Sequence, residues 1–394
     1  MRSRPIYTGI AILALTGILS AQTPAKKGNM VEDVFKNVQA LKGISADDFM
    51  GTMGIMSAAV GFDCSECHNN AGTERVNWAA DDNAKKVRAR QMVFMVDKIN
   101  KDNFGGRPAV TCFTCHHGRD RPAQTPTFEQ IYGQGPTEPD DVLTDMGGNK
   151  TAMQVIDRFL TQIGGGDKAA SVKSFIATGT SIGFGGFGGG GTVTIWAKTP
   201  NNRSTRIQFA KETERPDSIR VVNNNTGWIK TPLAVLPIYQ LTGNELHGAQ
   251  ADAMMTFPAQ LKTMFTNLKL STPQAISDLP GPSSQTTQEK STGIGQDRLV
   301  DVVQGTAGGE LVTMYFAQDS GLLLRSVRYS STPIGRIPTM MDYADYRDIG
   351  NGVKLAHRIT FAWLDGRDAI QIEKFQINPA IPDAKFDTPD TLVK

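Results

Sequence analysis

The sequence predicts an α+β chain in which a helical N-terminal segment precedes an antiparallel sheet, curved or barrel-like. Three observations point there. Two Cys-x-x-Cys-His runs, Cys64 to His68 and Cys112 to His116, each follow a stretch with helical apolar periodicity. A stretch rich in Pro, Gly and Asp then interrupts the chain. Beyond it come many short strand-like runs separated by turn signals.

Composition sets the outer bounds. The chain has 394 residues, 39% hydrophobic and 20% charged, the balance of a folded chain of two domains or three small ones. Global disorder is excluded. A net charge of +2 gives no electrostatic preference for nucleic acid or acidic lipid.

Residues 1–21 read as an export signal. Arg2 and Arg4 supply the positive start, Ile10 to Leu19 the apolar core, and Ser20-Ala21 a small-residue cleavage site. The apolar run is short for a bilayer span, so cleavage and a periplasmic location are expected; left uncleaved, it would tether the protein to the membrane by its N-terminus. Val31, Val34, Phe35, Val38 and Leu41 then predict a helix over residues 31–42, ended by Gly43. Ser45 caps a second helix from Ala46 to about Val60, with Asp48 as capping partner. Phe49, Met53 and Met56 share one of its faces, with Met50 beside them. Asp81 or Asp82 caps a third helix from about Ala84 to Asn100, striped by Met92, Met95, Val96 and Ile99.

The paired runs define the chemistry. They use all four cysteines and two of the five histidines. In a c-type haem site two thiols separated by two residues reach the vinyl groups of one porphyrin edge, and the adjacent His ligates the iron. Cys64, Cys67, Cys112 and Cys115 would anchor two haems, with His68 and His116 as proximal ligands. A zinc ribbon, a pair of disulfides or a redox dithiol would also use four sulfurs, but none of these needs a His directly after each second cysteine. A Met on each preceding helix is a candidate sixth ligand, because thioether sulfur favours ferrous iron. The rival role for each Met is filling core gaps, and spacing alone leaves Met50, Met53, Met56, Met92 and Met95 in competition. His117 is either a ligand to a neighbouring haem or, as is commoner for a second His beside the motif, a surface residue.

The run from Val38 to Met53 with Gly61-Phe62-Asp63-Cys64, and that from Ala89 to Met95 with Ile99-Asn100 and Val110 to His116, resemble the photosynthetic reaction centre cytochrome c subunit family. The resemblance covers roughly residues 31–125. It implies a helical multihaem cytochrome c domain and places the sixth ligands at Met53 and Met92. It implies an electron-transport role, with a redox protein or a membrane redox complex as donor or acceptor, in a photosynthetic or respiratory route. Two departures stand out. The family pattern carries four haems, whereas this chain has cysteines for two. The family also places a His shortly after the second Met helix, where Phe104 to Arg107 supply none.

Residues 126–150 read as a linker, so the expected division is a signal at 1–21, a dihaem domain at 22–125, the linker, and a sheet domain at 151–394. The last opens on a helix, Met153 to Ile163. Strand-like runs follow at Val172–Thr178, Val193–Ala197, Ile207–Ala210, Ser218–Val222, Leu299–Val303, Leu311–Phe316, Leu322–Tyr329, Ile359–Trp363 and Ala369–Ile377. A helical insert is expected near Ala249–Leu268, interrupted by Pro258, and a loop over 271–296. The Asp-Tyr pairs at Asp342 and Asp345 read as turns. Val155 to Phe159, Asp319 to Leu323, and Asp342 to Arg347 with Gly352 to Leu355 resemble bacterial lipoprotein-carrier half-barrels, which implies a concave face able to hold an apolar ligand such as a lipid or quinone. Gly183 to Gly188 formally matches a dinucleotide-binding glycine pattern, but it precedes a strand and reads as a hairpin loop. The leading expectation is a dihaem electron carrier, not an enzyme. Its rivals are an apolar-ligand carrier or sensor and a haem peroxidase with one five-coordinate iron.

Overall fold

The computed structural model describes residues 29–73, 75–122, 124–132, 142–182, 190–231, 236–278, 292–364 and 366–389. The expected leader at 1–21 and the glycine run Gly183 to Gly188 lie outside these. Among the described residues no helix is long and apolar enough to cross a membrane.

The helical segment opens with a single turn, α1 (Val31–Val34). The longer helix expected over 31–42 does not form. The Glu32 carboxylate instead accepts the Gly43 N–H at 2.7 Å, Val31 N–H bonds Ile44 O at 3.0 Å, and Asn37 and Leu41 take positive φ. These contacts fold the stretch back as a loop. The next helix, α2 (Ala46–Val60), has the expected ends: Ser45 accepts the Asp48 N–H, and Gly61 closes it in the left-handed region. A one-turn α3 (Cys64–Cys67) follows. The helix α4 (Ala84–Phe104) is capped by Asn83 rather than Asp81 or Asp82, and it runs four residues further than Asn100 before left-handed Gly105 stops it. The turn α5 (Cys112–His116) completes the segment.

A short α6 (Phe128–Tyr132) precedes a packed stretch. Leu143 N–H bonds Gln304, Met146 N–H bonds Leu270 O at 2.7 Å, and Lys150 pairs with Asp301 at 2.6 Å. Then come α7 (Ala152–Gln162), which carries a Thr151–Gln154 capping box, and α8 (Gly166–Ser171). Gly164 sits between them at φ +111°, and a Cβ there would lie 1.9 Å from Gly352 O. Only glycine fits that turn.

Among the described residues, thirteen antiparallel strands form one sheet. The first meander is β1 (Ser174–Ser181), β2 (Gly191–Lys198), β3 (Asn202–Phe209), β4 (Ser218–Val222), β5 (Gly227–Lys230) and β6 (Ile238–Gln240). After α9 (Gly243–Met255) comes the second: β7 (Thr266–Ile276), β8 (Arg298–Ala307), β9 (Glu310–Ala317), β10 (Leu323–Thr332), β11 (Gly335–Gly350), β12 (Val353–Trp363) and β13 (Gly366–Ile377). The meanders join where β1 pairs with β13, giving the order β6-β5-β4-β3-β2-β1-β13-β12-β11-β10-β9-β8-β7. Helix α9 touches β3, β4 and β5 from one meander and β8, β9 and β10 from the other. A single helix reaches strands near both ends of the row only if the sheet curls around it, as a half-barrel does.

Three expectations are corrected here. The helical insert starts earlier and ends at Met255, with a tight turn at Pro258–Lys262, because Pro258 cannot continue the α-helical ladder. Residues 266–276 are strand β7, paired with β8, rather than helix end and loop. The Asp342-Tyr343 pair lies inside the longest strand, β11, not in a turn. Asp342 is fully buried there, and both its oxygens accept from Arg325, at 2.6 and 2.9 Å.

The main core lies between α7, α9 and strands β8 to β10, around Phe159, Leu261, Met314 and Phe316. A second apolar cluster spans β1, β2, β12 and β13. Replacing Arg325 by Met leaves the Asp342 carboxylate buried without its counter-charge and should cost about 3–5 kcal/mol. The double variant R325M/D342L should recover most of that loss, as read from urea unfolding midpoints.

Candidate functional site

Each Cys-x-x-Cys run folds as one helical turn, which puts its two sulfurs at i and i+3 on one face. The first turn is capped by Asp63, whose carboxylate accepts the Ser65 N–H at 2.7 Å. The second is held by a Thr111–Thr114 capping box. Asn100, buried near the end of α4, donates to Val110 O at 2.8 Å and accepts the Val110 N–H at 2.9 Å. This double bond of side chain to backbone sets the chain entering Cys112. The two motifs also lock together: Gly118 N–H bonds Ala59 O at 2.9 Å, and a Cβ on Gly61 would stand 2.5 Å from Gly118 O.

The histidines differ. His116 Nδ1 lies 2.9 Å from Arg119 O; a carbonyl only accepts, so Nδ1 carries a proton in this bond, and Nε2 is the nitrogen of the neutral ring left to bind a metal. That is the tautomer a metal-ligating His needs. His68 packs its ring 5.0 Å from Trp78, and its Nδ1 is buried with no hydrogen-bond partner. Burial, then Lys86 and Arg90, lower its pKa, so the ring is held neutral. Lys86 supports Trp78 by donating to Trp78 O and Ala80 O at 2.8 and 2.6 Å. Asp81, bonded by Arg90 at 2.7 Å, is held at about 2 by hydrogen bonds from Asn37 and Arg90. His117 is exposed and closes α5 against Phe113.

Among the described residues no three His, Cys, Asp or Glu side chains converge to hold a metal ion, so the four sulfurs are not drawn into one tetrahedral set. No disulfide joins the four cysteines. Burial raises the Cys67 and Cys112 thiols, opposite to the depressed pKa of a redox dithiol.

A cavity of about 2460 Å³ contains all of this, well above the ~300–1,000 Å³ of a single-ligand pocket. Cys64, Cys67, His68, Cys112, Cys115, His116, Met53 and Met92 all line it, and so do Met50, Met56 and Met95. Met56 packs into the junction core with Ile55 and Val93, and Met95 is exposed, whereas Met53 and Met92 are half-buried. An orphaned imidazole nitrogen, a second imidazole with a fixed tautomer, paired sulfurs and thioethers on a large apolar void suit the residues to two porphyrins.

The sheet builds the opposite wall of that cavity, which local sequence patterns gave no means of finding. Arg203, Arg220, Met341, Phe361, Trp363 and Arg367 face the motifs across it. Two contacts seat the helical segment there. Ile55 and Val93 pack with Ile334 at the β10–β11 turn, and Gly51 lets Ile337 approach, since a Cβ would be 2.6 Å from its tip. At the other end Asp47 accepts the Thr242 N–H at 2.8 Å, and Ser45 and Thr242 share a 2.7 Å hydroxyl bond. Asp47 is raised to about 8 by burial and then by Glu245. Glu245 itself falls to about 2: burial opposes ionisation, but Arg328 and Arg220 outweigh it.

Fold and site together define a helical segment with two Cys-x-x-Cys-His turns, set against a curled antiparallel sheet. Residues 15–157 match the family described as photosynthetic reaction centre cytochrome C subunit. The photosynthetic reaction center cytochrome c subunit of Thermochromatium tepidum is 31% identical over 134 residues, covering 33% of this chain and 31% of that protein. That of Roseobacter denitrificans is 29% identical over 116 residues, covering 26% and 31%. The chain thus spans about a third of the length of these curated relatives. A LolA superfamily protein from Nitrosomonas europaea overlaps 62% of this chain and all of its own at 16% identity and TM-score 0.38. A DUF1329 family protein from Desulfovibrio piger overlaps 61% of this chain and 98% of its own at 11% identity and TM-score 0.37.

Neutral Asp47 favours the folded junction. Its contribution is fully present below its ordinary value of 3.8 and is lost as pH rises through about 8. The urea midpoint of the native protein should therefore fall between pH 5 and pH 9, and D47N should flatten that slope.

Proposed function

We propose that this chain is an exported dihaem c-type cytochrome that passes single electrons to or from a redox protein or a membrane redox complex, in a photosynthetic or respiratory route. The carrying observation is that both Cys-x-x-Cys-His turns and both Met-bearing helices open onto one cavity. Bound haem would supply an iron that changes charge by one unit. Cys64 and Cys67 tether one macrocycle and Cys112 and Cys115 the other. His68 and His116 would each supply an imidazole nitrogen to an iron. The Arg119 carbonyl orients the His116 ring, and Trp78 and the Lys86-braced loop confine the His68 ring. Met53 on α2 and Met92 on α4 would supply a thioether to each iron. A His and a Met held out to each iron would leave it no open place for a substrate, which favours electron relay over catalysis. The match to the reaction centre cytochrome subunits over residues 15–157 supports this reading.

A second reading, carriage of an apolar ligand, is favoured by the size of the cavity and the sheet residues that wall it. Solvent extraction of the purified protein discriminates, since a carrier yields stoichiometric lipid or quinone.

A pyridine haemochrome assay with intact mass should report two covalent haems per chain. Colourless protein, or a mass without haem, sinks the proposal. M92A should lower the potential of one haem and open its iron to carbon monoxide; an unchanged spectrum and potential would remove Met92 from the coordination scheme.

A further inference from the structure

Arg203 lies on β3 with Ala197 of β2 and Val222 of β4 beside it in register, so its strand neighbours offer no acid. Its Nε is buried without a hydrogen-bond partner, and its guanidinium makes one long bond, 3.4 Å to Thr256 Oγ1 at the end of α9. The nearby carboxylates are engaged elsewhere. Asp252 holds Arg328 at 2.8 Å, and Glu245 holds Arg328 at 2.8 Å and Arg220 at 2.7 Å. Both carboxylates are thus bound by other guanidiniums, and among the described residues neither closes an ion pair with Arg203. A guanidinium cannot shed its charge, so a desolvated one calls for an anion.

The position says which anion. Arg203 lines the large cavity and also a small inner pocket of about 50 Å³ walled by Phe175, Ile195, Tyr343 and Ile359. A cation at the foot of an apolar chamber suits an amphiphile, and a planar fork of donors suits a carboxylate. We infer that Arg203 anchors the carboxylate of an amphiphile whose apolar body lies in the cavity between the helical segment and the sheet. That carboxylate belongs either to a long-chain fatty acid or to a propionate of a bound haem; the second source rests on the cytochrome reading above.

Three proteins decide it: the native chain, R203M and R203K, each titrated with oleate and with methyl oleate and then poised potentiometrically. If a fatty acid is the occupant, R203M weakens oleate binding about tenfold to hundredfold, R203K keeps part of the affinity, and native protein binds methyl oleate as weakly as R203M binds oleate. If a propionate is the occupant, oleate binding is unmoved and R203M lowers one haem potential by about 59 mV or more, a tenfold shift in its reduction equilibrium. Should R203M fail to fold, R203K and the ester comparison carry the test. Equal oleate and methyl oleate affinity with unchanged potentials overturns the assignment. Haem-free material refutes the cytochrome reading but leaves the oleate arm standing.

Discussion

Arg328 is the interaction on which the rest of the molecule leans. It projects from β10 into the curl of the sheet, is 2% exposed, and bonds both Glu245 and Asp252 of α9. Gly248 stands between those carboxylates because the guanidinium occupies the space a side chain would need: a Cβ there would lie 2.4 Å from Arg328 Nη1. An ion cluster of this kind does not stabilise through attraction alone, since desolvating three charges opposes it. Its effect is to specify where α9 lies, and α9 in turn sets the curl by touching strands of both meanders.

From that point the structure propagates outward. The start of α9 presents the Thr242 N–H to Asp47, which seats α2 on the mouth of the sheet. The β10–β11 turn seats the same helix at its other side through Ile334 and Ile337. The motif turns rely on none of this for their own shape. Asp63, the Thr111–Thr114 box and Asn100 hold them through neighbouring residues. The result is a locally built pair of Cys-x-x-Cys-His turns set before a wall supplied by distant strands. A family match confined to residues 15–157 and a sheet that follows it are two parts of one chamber.

Legibility followed the range of the forces involved. The ends of α2 were readable because Ser45 and Gly61 act on groups within five residues. The start of α7 was readable for the same reason, through Thr151 and Gln154. The helix expected over 31–42 failed because Glu32 reaches eleven residues along the chain to Gly43. Strand β7 was hidden by its Ser, Thr and Pro content, which β8 overrides by pairing. Strand β11 was hidden by Asp342, a residue that reads as a turn until Arg325 is placed against it.

The sequence by itself determined the layout of the two Cys-x-x-Cys-His turns, because spacing within five residues dictates where two sulfurs and an imidazole fall on a helical turn. It also determined the division into helical and sheet-forming parts through periodicity. Tertiary structure alone decided that the sheet curls around α9, that its inner face walls the chamber holding the motifs, and that Asp47 and Arg203 take unusual charge environments. Those outcomes depend on burial and on partners from distant parts of the chain, and a linear pattern carries no record of which buried charges will meet.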